Sequence, residues 1–198
     1  MPHDLVIDAV HTLDQLLERH GVRRAWGGPL AYERHGPPRV VQALDVLALL
    51  PALKIPAVVD DLAGLGWRLL GQGEDLEPRP LELEPVLAGL RGRARGVLLL
   101  GDLVRVALLV PWHPFHSRVL DRAVEHELGG RRVRFWSPED LVVDLKTRDR
   151  PTDITAIMAL VLARKGALDL ERIRAEARQL LTDESWAELD QLLTRLSA

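Results

Sequence analysis

Residues 26–50 read WGGPLAYERHGPPRVVQALDVLALL, and this stretch decides the fold. Its pattern predicts a short strand that ends at a glycine pair, a short helix over Leu30 to Arg34, a turn, and an apolar strand over Arg39 to Leu50. Asp45 is the carboxylate in the middle of that apolar strand. Because burial of an unpaired carboxylate is costly, Asp45 is either a site residue or a structural acid that Arg39 or Arg105 satisfies.

Gly27 and Gly28 follow the first strand, which we predict over Val22 to Trp26. Two glycines after a strand let the backbone turn sharply and come close to a ligand, although a plain tight turn needs the same residues. Pro29 then fits the first turn of the short helix.

The rest of the chain predicts an α/β fold with helices at both ends. A helix over Asp4 to His20 has one apolar face, and Val97 to Val110 forms a hairpin that turns at Gly101-Asp102. Ser137 and Pro138 begin a helix that runs through Lys146. The remaining predictions are helices over 55–65, 115–128, 152–165, 168–181 and 184–196, a strand over 133–136, and a short edge strand over 81–84.

Composition narrows the class of protein. The chain has 198 residues, a net charge of −3 and no cysteine, so neither disulfides nor thiolate metal sites are expected. No apolar run reaches the roughly 18 residues of a membrane span, and we expect a cytoplasmic protein. The arginines at 91, 93 and 95 and at 131, 132 and 134 are interpreted as solvated turns, with nucleic-acid binding as the less favoured alternative.

Several short motifs occur in an order that can be compared with known protein families. They are Gly27-Gly28, the turn His35 to Arg39, Asp45, the segment Ser137 to Leu141, Lys146, and Arg150 with Asp153. In this order the chain resembles the nucleotidyltransferase superfamily with the DNA polymerase β-like fold, and more narrowly the AbiEii-type or minimal nucleotidyltransferases of toxin–antitoxin systems. The resemblance implies a mixed β-sheet flanked by helices over residues 1–136, with a C-terminal helical region over 137–198 packed on it.

The resemblance also implies where a nucleotide and metal ions would bind. Asp45 would be a metal ligand and catalytic acid, Lys146 would hold a triphosphate, and Asp153 would complete the catalytic set. Gly27, Gly28, Arg39 and Arg150 would contact the nucleotide, ATP or another nucleoside triphosphate. The residues themselves leave alternatives open, because Lys146 could be an exposed helix-end residue and Asp153 could pair with Arg150 or, as we prefer, cap a helix.

Two positions depart from the pattern of that superfamily. The first acid of its Asp-x-Asp motif falls at Ala43, and the third acid falls at Ala107. In the superfamily these carboxylates hold two Mg²⁺ ions against the phosphates, and one carboxylate cannot hold two ions. Since Arg105 and Ala107 share a strand face, Arg105 could reach Asp45 where a metal would otherwise bind.

We therefore predict a degenerate nucleotidyltransferase-fold protein that is non-catalytic or weakened. It would serve as a nucleotide-binding or regulatory module, with Mg²⁺ bound weakly and a protein partner in a toxin–antitoxin-like pair. One alternative is an active Mg-dependent nucleotidyltransferase that uses Asp45, Lys146 and Asp153, and another is a purely structural or interaction protein. The helical C-terminus, with Trp186, also permits a homodimer.

Overall fold

The structure is a computed structural model that describes residues 3–38, 41, 43–71, 77–92, 95–101 and 103–197, with only the backbone of residue 197. Within those ranges an eight-stranded mixed sheet has the order β4-β3-β5-β6-β2-β1-β8-β7. The strands are β1 (Arg23–Gly27), β2 (Leu44–Leu49), β3 (Arg68–Leu70), β4 (Pro78–Pro80), β5 (Gly96–Gly101), β6 (Val104–Leu109), β7 (Val124–Leu128) and β8 (Arg131–Phe135).

Helices flank this sheet and fill the C-terminal third of the chain. They are α1 (His3–Arg19), α2 (Gly28–His35), α3 (Ile55–Gly64), α4 (Leu83–Arg91), α5 (Pro114–Arg122), α6 (Pro138–Arg148), α7 (Pro151–Ala163), α8 (Leu170–Leu180) and α9 (Asp183–Ser197). The predicted α/β class is confirmed. None of the helices in the described ranges combines the length and apolar character that a membrane crossing requires.

The central strands carry the organising stretch of the sequence as predicted. β2 lies between β1, to which it is antiparallel, and β6, to which it is parallel. Leu44, Val46 and Ala48 are almost completely buried. Alternate residues of a strand point to the same face of the sheet, and the face that these three share packs into the core. The predicted strand was longer, and its positions 39, 40 and 42 lie outside the described residues.

The apolar periodicity of the first helix is also confirmed. Val6, Val10, Leu13 and Leu17 of α1 are buried in the core. The predicted hairpin in the middle of the chain is formed by β5 and β6, with Gly101 opposite Val104. Asp102 of its turn lies outside the described residues.

Two of the predicted elements were wrong. Leu81 to Glu84 is not an edge strand, because α4 begins at Leu83 and buries Val86 and Leu90, which are four residues apart on one helix face. The helix predicted over 115–128 ends at Arg122, and Val124–Leu128 is strand β7 instead. Gly129 and Gly130, both with positive φ, connect β7 to β8 in an antiparallel hairpin, and a hairpin partner fixes the strand conformation.

The four C-terminal helices pack on one another and on α2. α6 contacts both α7 and α8, α9 contacts α7 and α8, and α2 contacts α6 and α7. Ser137 caps α6 as predicted, since its Oγ accepts a hydrogen bond from the Asp140 backbone N–H at 3.2 Å. The division of the chain at residue 136 stays a prediction.

Candidate functional site

Asp45 lies at the N-terminal end of β2, where three strands meet. It is the register partner of Gly27 on β1 and of Ala107 on β6. We call Asp45, Gly27, Gly28 and Ala107 the Asp45 site. Ala107, at the position where the resemblance expects a third acid, is therefore the immediate strand neighbour of Asp45. Ala43 lies at a bend just before β2.

The glycine pair allows two large groups to approach the turn between β1 and α2. A Cβ on Gly28 would lie 2.0 Å from Asp45 Oδ2, and Gly28 has a φ of +53°, which favours glycine. A Cβ on Gly27 would lie 2.8 Å from the Trp136 indole ring. The glycines are therefore needed because the Asp45 carboxylate and the Trp136 ring both press against this backbone.

The environment of Asp45 disfavours its charged form. Burial raises the pKa of Asp45 to about 6, the charge of Asp144 acts in the same direction, and the charges of Arg148 and Arg150 oppose it. Among the described residues, no group donates a hydrogen bond to this carboxylate. Asp45 is nevertheless partly exposed, so a ligand or water can reach it.

Charged side chains of α6 and of the residue that precedes α7 act on Asp45 through their charges. Arg148 forms an ion pair with Asp144, one helical turn earlier on α6. Arg150 forms two hydrogen bonds with Asp153, at 2.7 and 3.1 Å. Each of these two arginines, whose charges act on Asp45, is therefore paired with an aspartate of its own.

Asp153 pairs with Arg150 and does not cap α7. Arg150 occupies the N-cap position of that helix, so our preference for the capping role was wrong. Burial by itself would raise the pKa of Asp153, but the hydrogen bonds from Arg150 and the charge of Arg148 outweigh it, and the pKa is lowered. Asp144 was missed by the sequence analysis, although its spacing of four residues from Arg148 on a helix is a detectable ion-pair signal.

Lys146 is not brought together with Asp45. Its ammonium group donates to Asp149 at 2.6 Å and to Glu188 of α9 at 2.8 Å, and its side chain is 2% exposed. The alternative of an exposed helix-end lysine is wrong. Asp45 and Lys146 belong to different charge clusters on different sides of α6.

Two further predictions concern arginines. The proposed pairing of Arg105 with Asp45 was wrong, because Arg105 is exposed on β6 and the arginine charges that act on Asp45 come from Arg148 and Arg150. Arg39, assigned to nucleotide contact, lies outside the described residues.

Asp45 supplies the carboxylate of the Asp45 site, whose other members are two glycines and an alanine. No group of three or more His, Asp or Glu side chains in the described ranges is arranged to hold a metal ion. Asp45 has alanine as its strand neighbour, and Asp144 and Asp153 are already paired with arginines. Mg²⁺ needs several oxygen ligands, and within the Asp45 site as defined the carboxylate of Asp45 is the side chain that offers them.

The chain matches no family model and no curated protein sequence. It does match solved structures. A crystal structure of ANT(2'')-Ia in complex with adenylyl-2''-tobramycin has 16% sequence identity and a TM-score of 0.56, with 88% of this chain and 98% of that chain covered. An antigenic nucleotidyltransferase-like protein from Paracoccidioides brasiliensis has 16% identity and a TM-score of 0.53, with 96% and 93% covered.

These comparisons establish a nucleotidyltransferase-like fold for this chain. The predicted resemblance is confirmed at the level of that fold, over nearly the whole length of both compared proteins. The narrower likeness to AbiEii-type or minimal nucleotidyltransferases stays a prediction.

Proposed function

We propose that this protein is a nucleotide-binding module with a nucleotidyltransferase-like fold and with severely weakened or no nucleotidyl transfer. The observation that carries the proposal is that Ala107 lies directly beside Asp45 on the neighbouring parallel strand. Transfer in this superfamily needs metal ions that neutralise charge on the transferring phosphate. A methyl group beside the one remaining carboxylate cannot help to hold them.

Nucleotide binding survives this loss in our proposal because two cations remain near Asp45. The charges of Arg148 and Arg150 act on Asp45, and Arg150 is 60% exposed. A guanidinium group matches the geometry of a phosphate and can donate two parallel hydrogen bonds to it. ANT(2'')-Ia holds an adenylylated ligand on the same fold, which supports ATP as the first nucleotide to test.

The biological role that fits a binding module is regulation of a partner protein. We infer a toxin–antitoxin-like pairing from the sequence resemblance, with this chain as the nucleotide-responsive member. The active alternative, which uses Asp45, Lys146 and Asp153, loses support because Lys146 is held by Asp149 and Glu188.

Titration calorimetry with ATP and CTP, each with and without Mg²⁺, tests the proposal. We expect binding that depends weakly on Mg²⁺ and that weakens when Arg150 is changed to Gln. The matched control is Arg178→Gln, because Arg178 is a similarly exposed arginine on α8 that pairs with an aspartate at 3.6 Å. No binding of any nucleotide would contradict the proposal and favour a purely structural protein.

A second experiment restores the missing acids. In Ala43→Asp/Ala107→Asp, three carboxylates should converge, so nucleotide affinity should become dependent on Mg²⁺. Transfer of a radiolabelled nucleotide to protein, RNA or small acceptors should be absent from the natural chain. Robust turnover by the natural chain would contradict the proposal. A double variant that folds without gaining Mg²⁺ dependence would count against the positions that we assign to the lost acids.

A further inference from the structure

Two arginine side chains approach a pair of contacting histidine rings where α2 ends. Arg164 Nη2 donates a hydrogen bond to His35 Nδ1 at 3.2 Å. The His126 ring stands edge-on to His35, with ring centroids 5.0 Å apart, and to Phe135, at 5.8 Å. The Arg34 guanidinium lies 6.0 Å from the centroid of Phe135. We call these five residues the Arg34–Arg164 cluster.

The two histidine rings of this cluster are neutral, so they do not balance the charge of the arginines. His35 Nε2 lies 2.9 Å from the Trp136 carbonyl oxygen, so Nε2 carries the proton and Nδ1 is left as the acceptor for Arg164. Burial lowers the pKa of His35 to about 4. Burial, then the charges of Arg34 and Arg164, lower the pKa of His126. Both arginines thus act on His126, and both rings are neutral at physiological pH.

The two guanidinium groups have no acidic partner among the described residues. Arg34 Nε and Arg164 Nε are buried and have no hydrogen-bond acceptor among the described residues. No carboxylate in the described ranges lies within 4.0 Å of either guanidinium. Glu139, whose charge reaches His35, forms its ion pair with Arg172. A buried donor without an acceptor is costly, so this arrangement requires an explanation.

We propose that Arg34, Arg164 and His126 form a binding site for a phosphate-type oxyanion. Such an anion has enough oxygens to accept hydrogen bonds from both guanidinium groups at once, and it neutralises their charge. All three side chains are partly exposed, so an anion can reach them from solvent. The site lies at the end of α2 away from Gly28 and is independent of nucleotide binding at the Asp45 site.

Helix termini explain only part of this arrangement. Arg34 is in the last turn of α2, and Arg164 is the C-cap of α7, where backbone carbonyl groups carry partial negative charge. That charge favours a cation, but it places no acceptor at either buried Nε. The helix ends therefore leave both guanidinium charges without an acidic partner among the described residues, and an oxyanion that reaches the exposed part of each side chain would neutralise them.

Calorimetric melting of the full chain in inorganic phosphate, against chloride at the same ionic strength, tests the site. The melting temperature should rise with phosphate in a saturable way, because a ligand of the folded state stabilises it. In Arg34→Gln/Arg164→Gln the half-saturating phosphate concentration should rise by at least roughly tenfold, as expected when charged hydrogen bonds are lost. The matched control is Arg19→Gln, at an exposed arginine on α1, and it should keep the full response.

A measurement on the unmodified protein keeps the test valid if the double variant does not fold. The chain has seven histidines, whose ring proton signals can be followed by NMR during a phosphate titration. We expect saturable shifts at His126 and His35 and none at His113 or His116. Equal shifts with chloride, a response confined to other histidines, or an Arg19→Gln response as weak as that of the double variant would overturn the proposal.

Two further measurements identify the source of the phosphate group and distinguish this site from the proposed nucleotide site. ATP without Mg²⁺ is titrated beside inorganic phosphate. A response to either ligand supports the site only if the double variant loses it. Asp45→Asn should keep the phosphate response, so loss of that response in this variant would show that the anion binds at the Asp45 site and would overturn the proposal.

Discussion

At the scale of single residues, the contact between Asp45 and Gly28 explains why residues 26–50 organise the chain. A carboxylate oxygen occupies the space where any side chain at position 28 would begin. The same contact keeps Asp45 in a partly buried position, which raises its pKa to about 6. The glycine and the acid therefore depend on each other, and each can be tested by substitution.

Gly28→Ala should lower the free energy of unfolding by about 2–4 kcal/mol, through a strained positive φ and a clash with Asp45. Gly66→Ala is the matched control, since Gly66 has a φ of +80° but no atom within 4 Å of an added Cβ. Its loss should be limited to about 1–2 kcal/mol from the backbone alone. Urea unfolding measures both, and equal losses in the two variants would refute the contact.

Asp45→Asn should stabilise the protein at neutral pH by up to about 3 kcal/mol. The folded-state pKa of Asp45, about 6, exceeds the ordinary aspartate value of 3.8, so the folded protein binds this proton more tightly. Its stability contribution is therefore present at low pH and is lost as pH rises from about 4 to about 6. The difference between variant and natural chain should grow over that window in urea titrations. Asp60→Asn, at an exposed aspartate on α3, should change the free energy of unfolding by under about 0.5 kcal/mol.

At the scale of elements, α6 separates two charge clusters because of helix geometry. Asp144 and Arg148 are four residues apart and lie on one face, near Asp45. Lys146 follows Asp144 by two residues, which is a rotation of roughly 200° about the helix axis, so it points to the other side. There it holds α9 through Glu188 and closes the last turn of α6 through Asp149.

Lys146→Met should lower the free energy of unfolding by about 1–2 kcal/mol, because the hydrogen bonds to Glu188 and Asp149 are lost while both acids can turn to solvent. Nucleotide affinity should not change. Lys165→Met is the control, since Lys165 is exposed after α7. Loss of nucleotide affinity with unchanged stability would instead support the triphosphate role that the sequence resemblance implies for Lys146.

At the scale of the whole molecule, a buried ion network joins the sheet-side helix α5 to the C-terminal helices. Glu176 of α8 accepts hydrogen bonds from Arg118 at 2.8 and 2.5 Å and from Arg122 at 2.7 Å. Arg122 also binds Asp140 of α6 at 2.5 Å. Arg122 of α5 therefore links α5 to both α6 and α8, through Asp140 and Glu176.

Glu176→Gln should lower the free energy of unfolding by about 2–4 kcal/mol, because Arg118 loses its charged partner and Arg122 keeps only Asp140. Burial alone would raise the pKa of Glu176, but Arg118 and Arg122 outweigh it and lower the pKa below 4.5. Its contribution is thus present above that pH and is lost on acidification, so the variant should lose most of its disadvantage in acid. Glu171→Gln, at a side chain that is 86% exposed, should cost under about 1 kcal/mol.

The sequence by itself determined the apolar strand around Asp45, the glycine turn, the cap at Ser137 and the nucleotidyltransferase-like fold. The strand, the turn and the cap depend on local periodicity and on residue types with few conformational choices, whereas the fold was predicted from the resemblance that the order of the short motifs carries. It failed at Val124–Leu128, because a short mixed segment becomes a strand only when a hairpin partner is present.

Only the tertiary structure decided which charges meet. It brings Arg148 and Arg150, and not Arg105, near Asp45. It pairs Lys146 with Glu188 of α9. It also brings together Arg34, His126 and Arg164 from three separate segments. Long polar side chains have many rotamers, and their partners are set by how helices dock across a hundred residues or more. Local patterns do not contain that information, because it arises from the packing of the whole core.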